Sequence, residues 1–389
     1  MAVLPTLEPQ DAEAAAAMLA AASADGRTVV LHGHRTKLRH LPDADNVAPM
    51  STRCLTTGLA HYAGDLVATV PVGQTLRTVN EELMRQRQWL PLDPPFADDA
   101  TIGGVVAAND SGPRRQRYGN PRDLIIGIEV ALPSGTVARS GGRVVKNVAG
   151  YDLARLFCGS RGTLGLITSV TFKLSPAAPA SRTVVARFAR AHQAADFAVA
   201  LAADPSLTPS TLEVVAPDPR VLVRFETTPR VADLMAAAAT RLAAASDHVA
   251  TLEGDQEAHA WAEHQRIESV TDGLAINLSV LPTVSGPILD DVDRLAAEFG
   301  VDWMATGRAA LGILRIRATG ELPAMHQFTA ALHVAVAVRG GHMQCAGDLD
   351  LLDDEVEPLG DPGSAAAVGF AVKQRFDPAG VLPYPWARS

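Results

Sequence analysis

The residues best placed to do chemistry lie in a glycine-rich run over residues 100–109. Gly103 and Gly104 open a stretch of small apolar residues. Because glycine has no Cβ, a backbone of this kind can approach a ligand closely while its N–H groups remain free to donate hydrogen bonds. Free N–H groups bind anions, and we therefore interpret the run as an anion-binding segment.

Segments of similar composition follow at residues 111–113, 118–123, 146–152 and 159–168. They alternate with apolar stretches typical of strands. This pattern predicts several loops that converge on one extended ligand, such as a dinucleotide, rather than a single helix N-terminus that holds a phosphate. No G-x-G-x-x-G follows a predicted strand and no P-loop motif occurs, so two common nucleotide sites are excluded.

In this order, the segments resemble the flavin domain of the vanillyl-alcohol-oxidase/PCMH superfamily and, within it, the FAD-binding subunits of glycolate oxidases. The resemblance is strong over residues 55–176 and thin afterwards. Its most specific part is Lys-Asn-Val-Ala-Gly-Tyr-Asp at residues 146–152. The other segments that carry it are residues 90–95, 100–108, 111–115, 122–123, 142–145 and 162–168.

The resemblance implies FAD as the cofactor and assigns its contacts to several segments. Residues 100–104 would cradle the isoalloxazine and pyrophosphate, and residues 162–167 would meet the adenine end. The alternative interpretation of the first segment is a glycine pair that packs a strand against a helix, and that of the second is a strand with glycines at a bend. The expected cofactor-binding residues are Gly33, Arg35, Thr36, Lys37, Pro95, Ala100, Thr101, Ile102, Gly103, Gly104, Ala107, Ser111, Gly112, Tyr118, Gly162, Gly165 and Ile167.

The loop over residues 32–37 departs from the family pattern. Where relatives have Arg-Gly-Gly-Gly-Ser/Thr-Lys around the FAD pyrophosphate, this chain has His34 and Arg35 in place of two glycines. A non-glycine residue with positive φ carries a backbone cost. Either Arg35 supplies a charged donor to the pyrophosphate, or the loop has diverged because flavin is no longer held tightly. A covalent flavin link at His34 is a third, weaker interpretation, because the attached histidine of the superfamily aligns nearer Thr36.

The composition limits the class of protein. The chain has 389 residues and a formal net charge of −9, which argues against nucleic acid or an anionic membrane as the main partner. No apolar run approaches the ~20 residues of a spanning helix, and the first residues contain no recognisable targeting signal. We therefore expect a cytoplasmic protein that reaches the inner membrane only through partners. Cys54, Cys158 and Cys345 lie far apart without a C-x-x-C pair, which excludes an internal ferredoxin-type cluster.

The predicted fold class is α+β, with a two-subdomain PCMH-type FAD-binding domain at residues 1–178. We predict an α+β cap domain at residues 179–362. A C-terminal helix and tail follow at 363–389 and return to the first domain. Helices are predicted at 8–22, 75–87, 194–203, 231–245, 289–299, 323–336 and 365–376, and Asp25 and Gly26 are predicted to stop the first of them. Strands are predicted at 28–31, 66–70, 125–132, 168–174, 183–188, 212–215, 221–225, 274–281 and 311–316.

No catalytic residue is predicted. The 11 histidines are scattered, the H-x-G-D-G-N-x-H pattern of the catalytic flavoprotein subunit is missing, and we expect no metal site. Oxidation of a 2-hydroxy acid needs a base for the hydroxyl proton and a cation for the carboxylate, and the sequence shows no recognisable residue for either role. The leading hypothesis is a non-catalytic or electron-relaying FAD subunit of a glycolate oxidase-type complex. Its partners would be a catalytic FAD-linked subunit and an iron–sulfur subunit. The alternatives are a stand-alone FAD-dependent 2-hydroxyacid dehydrogenase and a flavin-free scaffold.

Overall fold

A computed structural model of the chain describes residues 4–38, 46–143, 152–360 and 363–383. It divides into two compact units. The first comprises Met1–Gly112, Tyr118–Ala177 and Gly363–Ser389, and the second comprises Pro113–Arg117 and Ala178–Pro362. Both units combine helices with antiparallel sheet, so the predicted α+β class is confirmed.

The first unit opens with helix α1 (Ala12–Ala24) and a parallel strand pair, β1 (Thr28–His32) and β2 (Val47–Ser51). The Asp11 carboxylate caps α1 by accepting a hydrogen bond from the Ala14 amide at 2.7 Å. The helix ends at Asp25 and Gly26, and Gly26 has φ 64°. Left-handed glycine is a common helix terminator, so the helix ends where the sequence predicts.

A five-stranded antiparallel sheet forms the centre of the first unit. Its order is β3-β4-β8-β6-β7, and a short β5–β9 pair lies beside it. The strands are β3 (Ala60–Tyr62), β4 (Val67–Pro71), β5 (Gln88–Trp89), β6 (Ile125–Ala131), β7 (Val137–Gly141), β8 (Leu166–Lys173) and β9 (Ser175–Pro176). The helices are α2 (Leu76–Met84), α3 (Ile102–Ala108), α5 (Pro121–Leu124) and α6 (Leu153–Phe157), while α4 (Arg115–Tyr118) has all but its last residue in the second unit.

The second unit is built on an eight-stranded antiparallel sheet with the order β13-β10-β12-β11-β15-β16-β14-β17. Its strands are β10 (Ala180–Arg187), β11 (Thr211–Ala216), β12 (Arg220–Thr227), β13 (His248–Leu252), β14 (Leu274–Ser279), β15 (Asp302–Arg308), β16 (Ile313–Thr319) and β17 (His342–Gly347). Its helices are α7 (Ala191–Ala203), α8 (Pro229–Leu242), α9 (Gly254–Glu268), α10 (Ser285–Phe299) and α11 (Leu322–Val338).

The two faces of this sheet differ in polarity. Apolar side chains at alternate positions, such as Leu212, Val223 and Ile316, join α7, α8, α10 and α11 in one core. The intervening positions, such as Glu213, Arg224 and Arg315, lie on the opposite face. Helix α9 covers part of that polar face through its own polar side chains, as described below.

The sequence did not predict α9, β13, β15 or β17. Strand β15 carries the polar residues Thr306 and Arg308 among its buried positions. The buried positions of α9 are Glu257, His264 and Glu268. Because α9 and β15 bury polar groups, hydrophobic periodicity does not detect these two elements.

Helix α12 (Ala365–Phe376) returns the chain to the first unit and agrees with its predicted bounds. Phe376 packs edge to face on Phe157 with ring centroids 5.4 Å apart. Beyond the helix, the Val29 amide donates to the Val381 carbonyl at 2.7 Å. Lys373 donates to the Thr163 carbonyl at 2.7 Å, so the C-terminal segment is fixed to the loop that follows α6. Within the described residues, no helix combines the length and apolar character needed to cross a bilayer.

Candidate functional site

The glycine run that the sequence singled out forms a short helix, α3, and not an open loop. Thr101 is its N-cap, with the hydroxyl oxygen 3.3 Å from the Gly104 amide. The amides of Ile102 and Gly103 donate to Gln74 O at 2.9 Å and to Val72 O at 3.0 Å. The expectation that these N–H groups are free is therefore wrong, because they already donate to carbonyl groups of residues 72–74.

Gly103 and Gly104 allow α3 to pack closely. A Cβ on Gly103 would lie 3.0 Å from the Val72 Cβ, and a Cβ on Gly104 would lie 3.7 Å from Lys37 Cγ. Neither glycine has a positive φ, so no left-handed backbone conformation requires glycine at these positions. The alternative packing role for the glycine pair is supported on the Gly103 side.

The loop over residues 32–38 lies against the start of α3. A Cβ on Gly33 would lie only 2.3 Å from Thr101 Oγ1. His34 Nδ1 is 2.9 Å from the Asp99 carbonyl oxygen. Lys37 Nζ donates to Pro95 O at 2.7 Å and lies 2.6 Å from Asp110 Oδ2. The structure thus brings Gly33, Lys37, Pro95 and Thr101 together, as the sequence predicts for residues of one site.

This loop offers the anion-binding amides that α3 does not. Arg35 is left-handed, with φ 61°, at a position where the resembled family has glycine. Within the described part of the chain, the amides of Gly33, His34, Arg35 and Thr36 donate to no acceptor. Consecutive amides around a left-handed residue form concave sites for anions. The Arg35 and His34 side chains are exposed beside these amides.

A second loop, residues 159–165, packs on the other end of α3. The amides of Gly159 and Arg161 donate to the last carbonyls of that helix at 3.0 and 2.7 Å. Gly162 has φ 79°, and a Cβ there would lie 3.4 Å from the Leu31 side chain. Residues 159–165 and β1, which leads into the loop over residues 32–38, are therefore neighbours around α3.

The remaining predicted residues have packing partners inside the first unit. A Cβ on Gly165 would lie 2.9 Å from Ala131 O, and one on Gly112 would lie 1.7 Å from Asp93 O. Tyr118 meets Trp89 edge to face with ring centroids 5.6 Å apart. Ala100, Ile102, Ser111 and Ile167 are buried, and the Ala107 carbonyl accepts the Arg161 amide.

The specific Lys-Asn-Val-Ala-Gly-Tyr-Asp block lies mostly outside the described residues. This applies to Lys146, Asn147 and Tyr151. Asp152 is described, and its carboxylate caps α6 by accepting the Arg155 amide at 3.1 Å.

Buried polar atoms around the two loops fit a polar ligand. Among the described residues, His32 Nε2, Thr52 Oγ1, Gln74 Oε1 and Ser160 Oγ are buried without a hydrogen-bond partner. A buried polar atom is energetically unfavourable unless it has a hydrogen-bond partner. Burial lowers the pKa of His32, against the opposing effect of the Gly33 carbonyl, so the ring is neutral at pH 7.

The three cysteines are free thiols. Burial raises the pKa of Cys158 and of Cys345 to about 12, so these two thiols are protonated at neutral pH.

The polar face of the second unit carries several arginines that the sequence analysis did not single out. Arg224 donates to the Glu257 carboxylate at 3.0 Å and lies over the Trp261 ring, 4.6 Å from its centroid. Burial and the neighbouring Arg114 lower the pKa of Arg224. Arg315 donates to Asn277 at 3.1 Å, and Arg317 lies two residues along the same face.

Glu213, His264, Glu268 and Arg308 form a fully buried cluster on that face, each at most 5% exposed. Glu213 Oε2 lies 3.4 Å from His264 Nε2, and Glu213 Oε1 lies 3.2 Å from Arg308 Nε. Burial alone would lower the pKa of His264, but the carboxylates of Glu213 and Glu268 outweigh it and raise that pKa. The helical spacing of Glu257, Trp261, His264 and Glu268 is the sequence signal that could have revealed the face.

Comparison with known proteins identifies the first unit. Residues 4–141 match the family described as FAD binding domain. The chain is 42% identical over 134 residues to glycolate oxidase subunit GlcE of Escherichia coli, and 38% identical over 149 residues to glycolate oxidase subunit GlcD of Bacillus subtilis. Over 177 residues it is 36% identical to mitochondrial D-lactate dehydrogenase [cytochrome] of Arabidopsis thaliana.

These alignments cover 34%, 38% and 44% of this chain, and 38%, 32% and 30% of the relatives. The chain therefore matches about a third of the length of each relative.

Solved structures extend the likeness in fold to the rest of the chain. Alkyldihydroxyacetonephosphate synthase superposes with a TM-score of 0.75 at 15% identity, covering 97% of this chain and 75% of that protein. Chitooligosaccharide oxidase gives a TM-score of 0.71 at 13% identity, covering 100% and 92%. Residues 4–141 are therefore an FAD binding domain of the PCMH type, with FAD as its cofactor, in a chain related to FAD-linked oxidoreductases.

Proposed function

We propose that this chain is the FAD-binding subunit of a glycolate oxidase-type complex that oxidises glycolate or a related 2-hydroxy acid. The observation that carries the proposal is the loop over residues 32–38, whose amides at 33–36 have no acceptor among the described residues. The sequence relationship to GlcE and GlcD supports the choice of complex.

The loop amides and the Arg35 guanidinium would hold the FAD pyrophosphate. Lys37 is a poorer candidate for that charge, because its ammonium already lies 2.6 Å from the Asp110 carboxylate. The loop at 159–165 would meet the adenine end through its backbone. When bound, FAD supplies the capacity to accept a hydride and to pass on electrons one at a time.

The proposed partners follow from what the chain does not offer. Oxidation of a 2-hydroxy acid requires a base for the hydroxyl proton, and the catalytic H-x-G-D-G-N-x-H pattern does not occur in the sequence. We infer a catalytic FAD-linked subunit that holds this base and an iron–sulfur subunit that receives the electrons. The chain would be cytoplasmic and would reach the inner membrane only through these partners.

One observation favours the second candidate function, a 2-hydroxyacid dehydrogenase that acts alone. Arg224, Arg315 and Arg317 share the polar face of the eight-stranded sheet, and guanidinium groups are the usual ligands for a substrate carboxylate. The flavin-free scaffold is the weaker alternative, because the loop over residues 32–38 retains amides suited to an anion.

An activity assay separates these functions. We expect the FAD-loaded chain alone to turn over glycolate or D-lactate with an artificial acceptor well below about 1 s⁻¹, the low end of typical enzymes. Turnover should appear when the catalytic and iron–sulfur subunits are added. Faster turnover by the chain alone, lost in Arg315→Met, would instead establish the stand-alone dehydrogenase.

Arg35→Gly should change flavin affinity and stability in opposite directions. Glycine relieves the left-handed backbone at φ 61°, which should stabilise the first unit by about 1 kcal/mol. Loss of the guanidinium should weaken FAD binding about tenfold, since a charge-assisted hydrogen bond contributes roughly 1.5 kcal/mol or more. FAD titration and thermal unfolding of the apoprotein measure the two effects. An unchanged affinity would show that the loop holds the pyrophosphate without the arginine.

A further inference from the structure

The buried cluster of Glu213, His264, Glu268 and Arg308 lies outside the FAD-binding unit, and the proposed function does not use it. Strand β11 contributes Glu213, strand β15 contributes Arg308, and α9 contributes His264 and Glu268 one helical turn apart. Because i and i+4 side chains share a helix face, α9 directs the imidazole and the second carboxylate to the same point on the sheet.

The charges of the cluster do not balance without another cation. Two carboxylates and one guanidinium leave a net charge of −1 in a region where each side chain is at most 5% exposed. Isolated buried charge is strongly unfavourable. A proton on His264 would bring the net charge to zero, and a bound divalent metal ion would bring it to +1.

The spacing of the Glu213 and His264 donor atoms matches that of two ligands of one metal ion. One donor atom from each of Glu213, His264 and Glu268 lies within 4.8 Å of the others. The His264 Nε2 to Glu213 Oε2 distance is 3.4 Å. Two ligand atoms at about 2.1 Å from a tetrahedral zinc ion are about 3.4 Å apart.

Hydrogen bonding points in the same direction. Within the described residues, both Glu213 oxygens and His264 Nε2 are buried without a hydrogen-bond partner. A protonated imidazole would be expected to donate a linear hydrogen bond to the nearest carboxylate. Glu213 Oε1 faces the Arg308 guanidinium at 3.2 Å, so Glu213 Oε2 and His264 Nε2 are the two atoms whose lone pairs a bound cation would satisfy.

We propose that Glu213, His264 and Glu268 bind a divalent transition metal of the zinc class in the second unit. This departs from the sequence-based expectation of no metal site, because residues 213, 264 and 268 lie far apart in the chain or on a helix that periodicity does not detect. Histidine nitrogen with carboxylate oxygen is a ligand set that zinc accepts. Arg308 remains beside the site, paired with the Glu213 and Glu268 carboxylates at 3.2 and 3.4 Å.

The metal would fix α9 to the sheet. It would join β11 to the end of α9, and its loss should loosen that helix. The site is independent of the loop over residues 32–38, so FAD binding and metal binding can be tested separately.

The test measures metal content and stability on the full chain as purified. After dialysis against Zn²⁺ and then metal-free buffer, elemental analysis should find one zinc ion per chain, and Zn²⁺ should raise the unfolding temperature of the chelator-treated protein. Glu213→Gln and His264→Gln should each reduce the bound metal at least tenfold. Circular dichroism and FAD content verify that the variants fold.

The matched control is an exposed group of the same chemistry. His192 lies 3.4 Å from Asp196 Oδ2 and 3.1 Å from Asp290 Oδ2 on the surface of the same unit. His192→Gln should leave the metal content unchanged. A chain without bound zinc and without a thermal shift would overturn the proposal and leave a proton on His264 as the missing charge. So would zinc that persists in both buried variants. If both buried variants fail to fold, the wild-type zinc content and thermal shift decide the question.

Discussion

Gly33→Ala should reduce FAD affinity on the order of 100-fold, about 2.7 kcal/mol, without unfolding the chain. The added methyl group would lie 2.3 Å from Thr101 Oγ1 and 3.0 Å from Thr101 Cγ2. Thr101 is buried and caps α3, so its side chain cannot turn away without loss of the cap, which itself costs about 1 kcal/mol. The loop over residues 32–38 must therefore move, and its amides at 33–36 move with it. Equilibrium titration of the apoprotein with FAD measures the effect.

Two further variants define the cause of that loss. Gly64→Ala is the control, since a Cβ there has no atom within 4 Å, and its FAD affinity should equal that of the wild type. Thr101→Ala removes the two nearest atoms, Oγ1 and Cγ2, and keeps only Cβ at 3.1 Å from the new methyl group, so it should restore part of the affinity when combined with Gly33→Ala. Wild-type affinity in the single variant Gly33→Ala would disprove the assignment of the loop as the cofactor cradle.

In the chelator-treated, metal-free protein, Arg308→Met should destabilise the second unit by roughly 3–5 kcal/mol, the range measured when one partner of a buried ion pair is removed. Arg308 is 1% exposed and lies within 3.2 Å of Glu213 Oε1 and 3.4 Å of Glu268 Oε1. Methionine fills a similar volume but leaves both carboxylates without the guanidinium. Differential scanning calorimetry should show a lower transition for this unit.

The control for this prediction is Arg294→Met. Arg294 makes comparable ion pairs with Asp291 and Glu298, but its side chain is 58% exposed. Exposed pairs of this kind contribute at most about 1 kcal/mol, so the transition should hardly move. An Arg308→Met protein as stable as the wild type would mean that the two carboxylates are not charged together in the folded unit.

The sequence predicts best what depends on neighbouring residues. Helix α12 has its predicted bounds, and α1 ends at the predicted Asp25 and Gly26. The family resemblance, read from the order of short glycine-rich segments, correctly identified the FAD binding domain. The cost expected for a non-glycine residue in the phosphate loop corresponds to the left-handed Arg35.

The sequence predicts poorly what depends on distant partners. The sequence predicts a free Gly103 N–H group, yet this group donates a hydrogen bond to the Val72 carbonyl, which is distant in the sequence. The polar helix α9 was missed because its buried positions are Glu257, His264 and Glu268. Their burial follows from partners on the sheet, such as Thr183 and Arg224 for Glu257. Composition alone does not show that these charges meet.

The flavin content of the purified chain tests the central claim most directly. The account predicts a yellow protein that carries one FAD per chain, held without a covalent bond by the loops at 32–38 and 159–165. Acid precipitation should release the flavin into the supernatant, where its absorption spectrum and chromatographic mobility identify it as FAD. A colourless chain that stays free of flavin after incubation with FAD would contradict the account, and flavin retained in the pellet would contradict non-covalent binding.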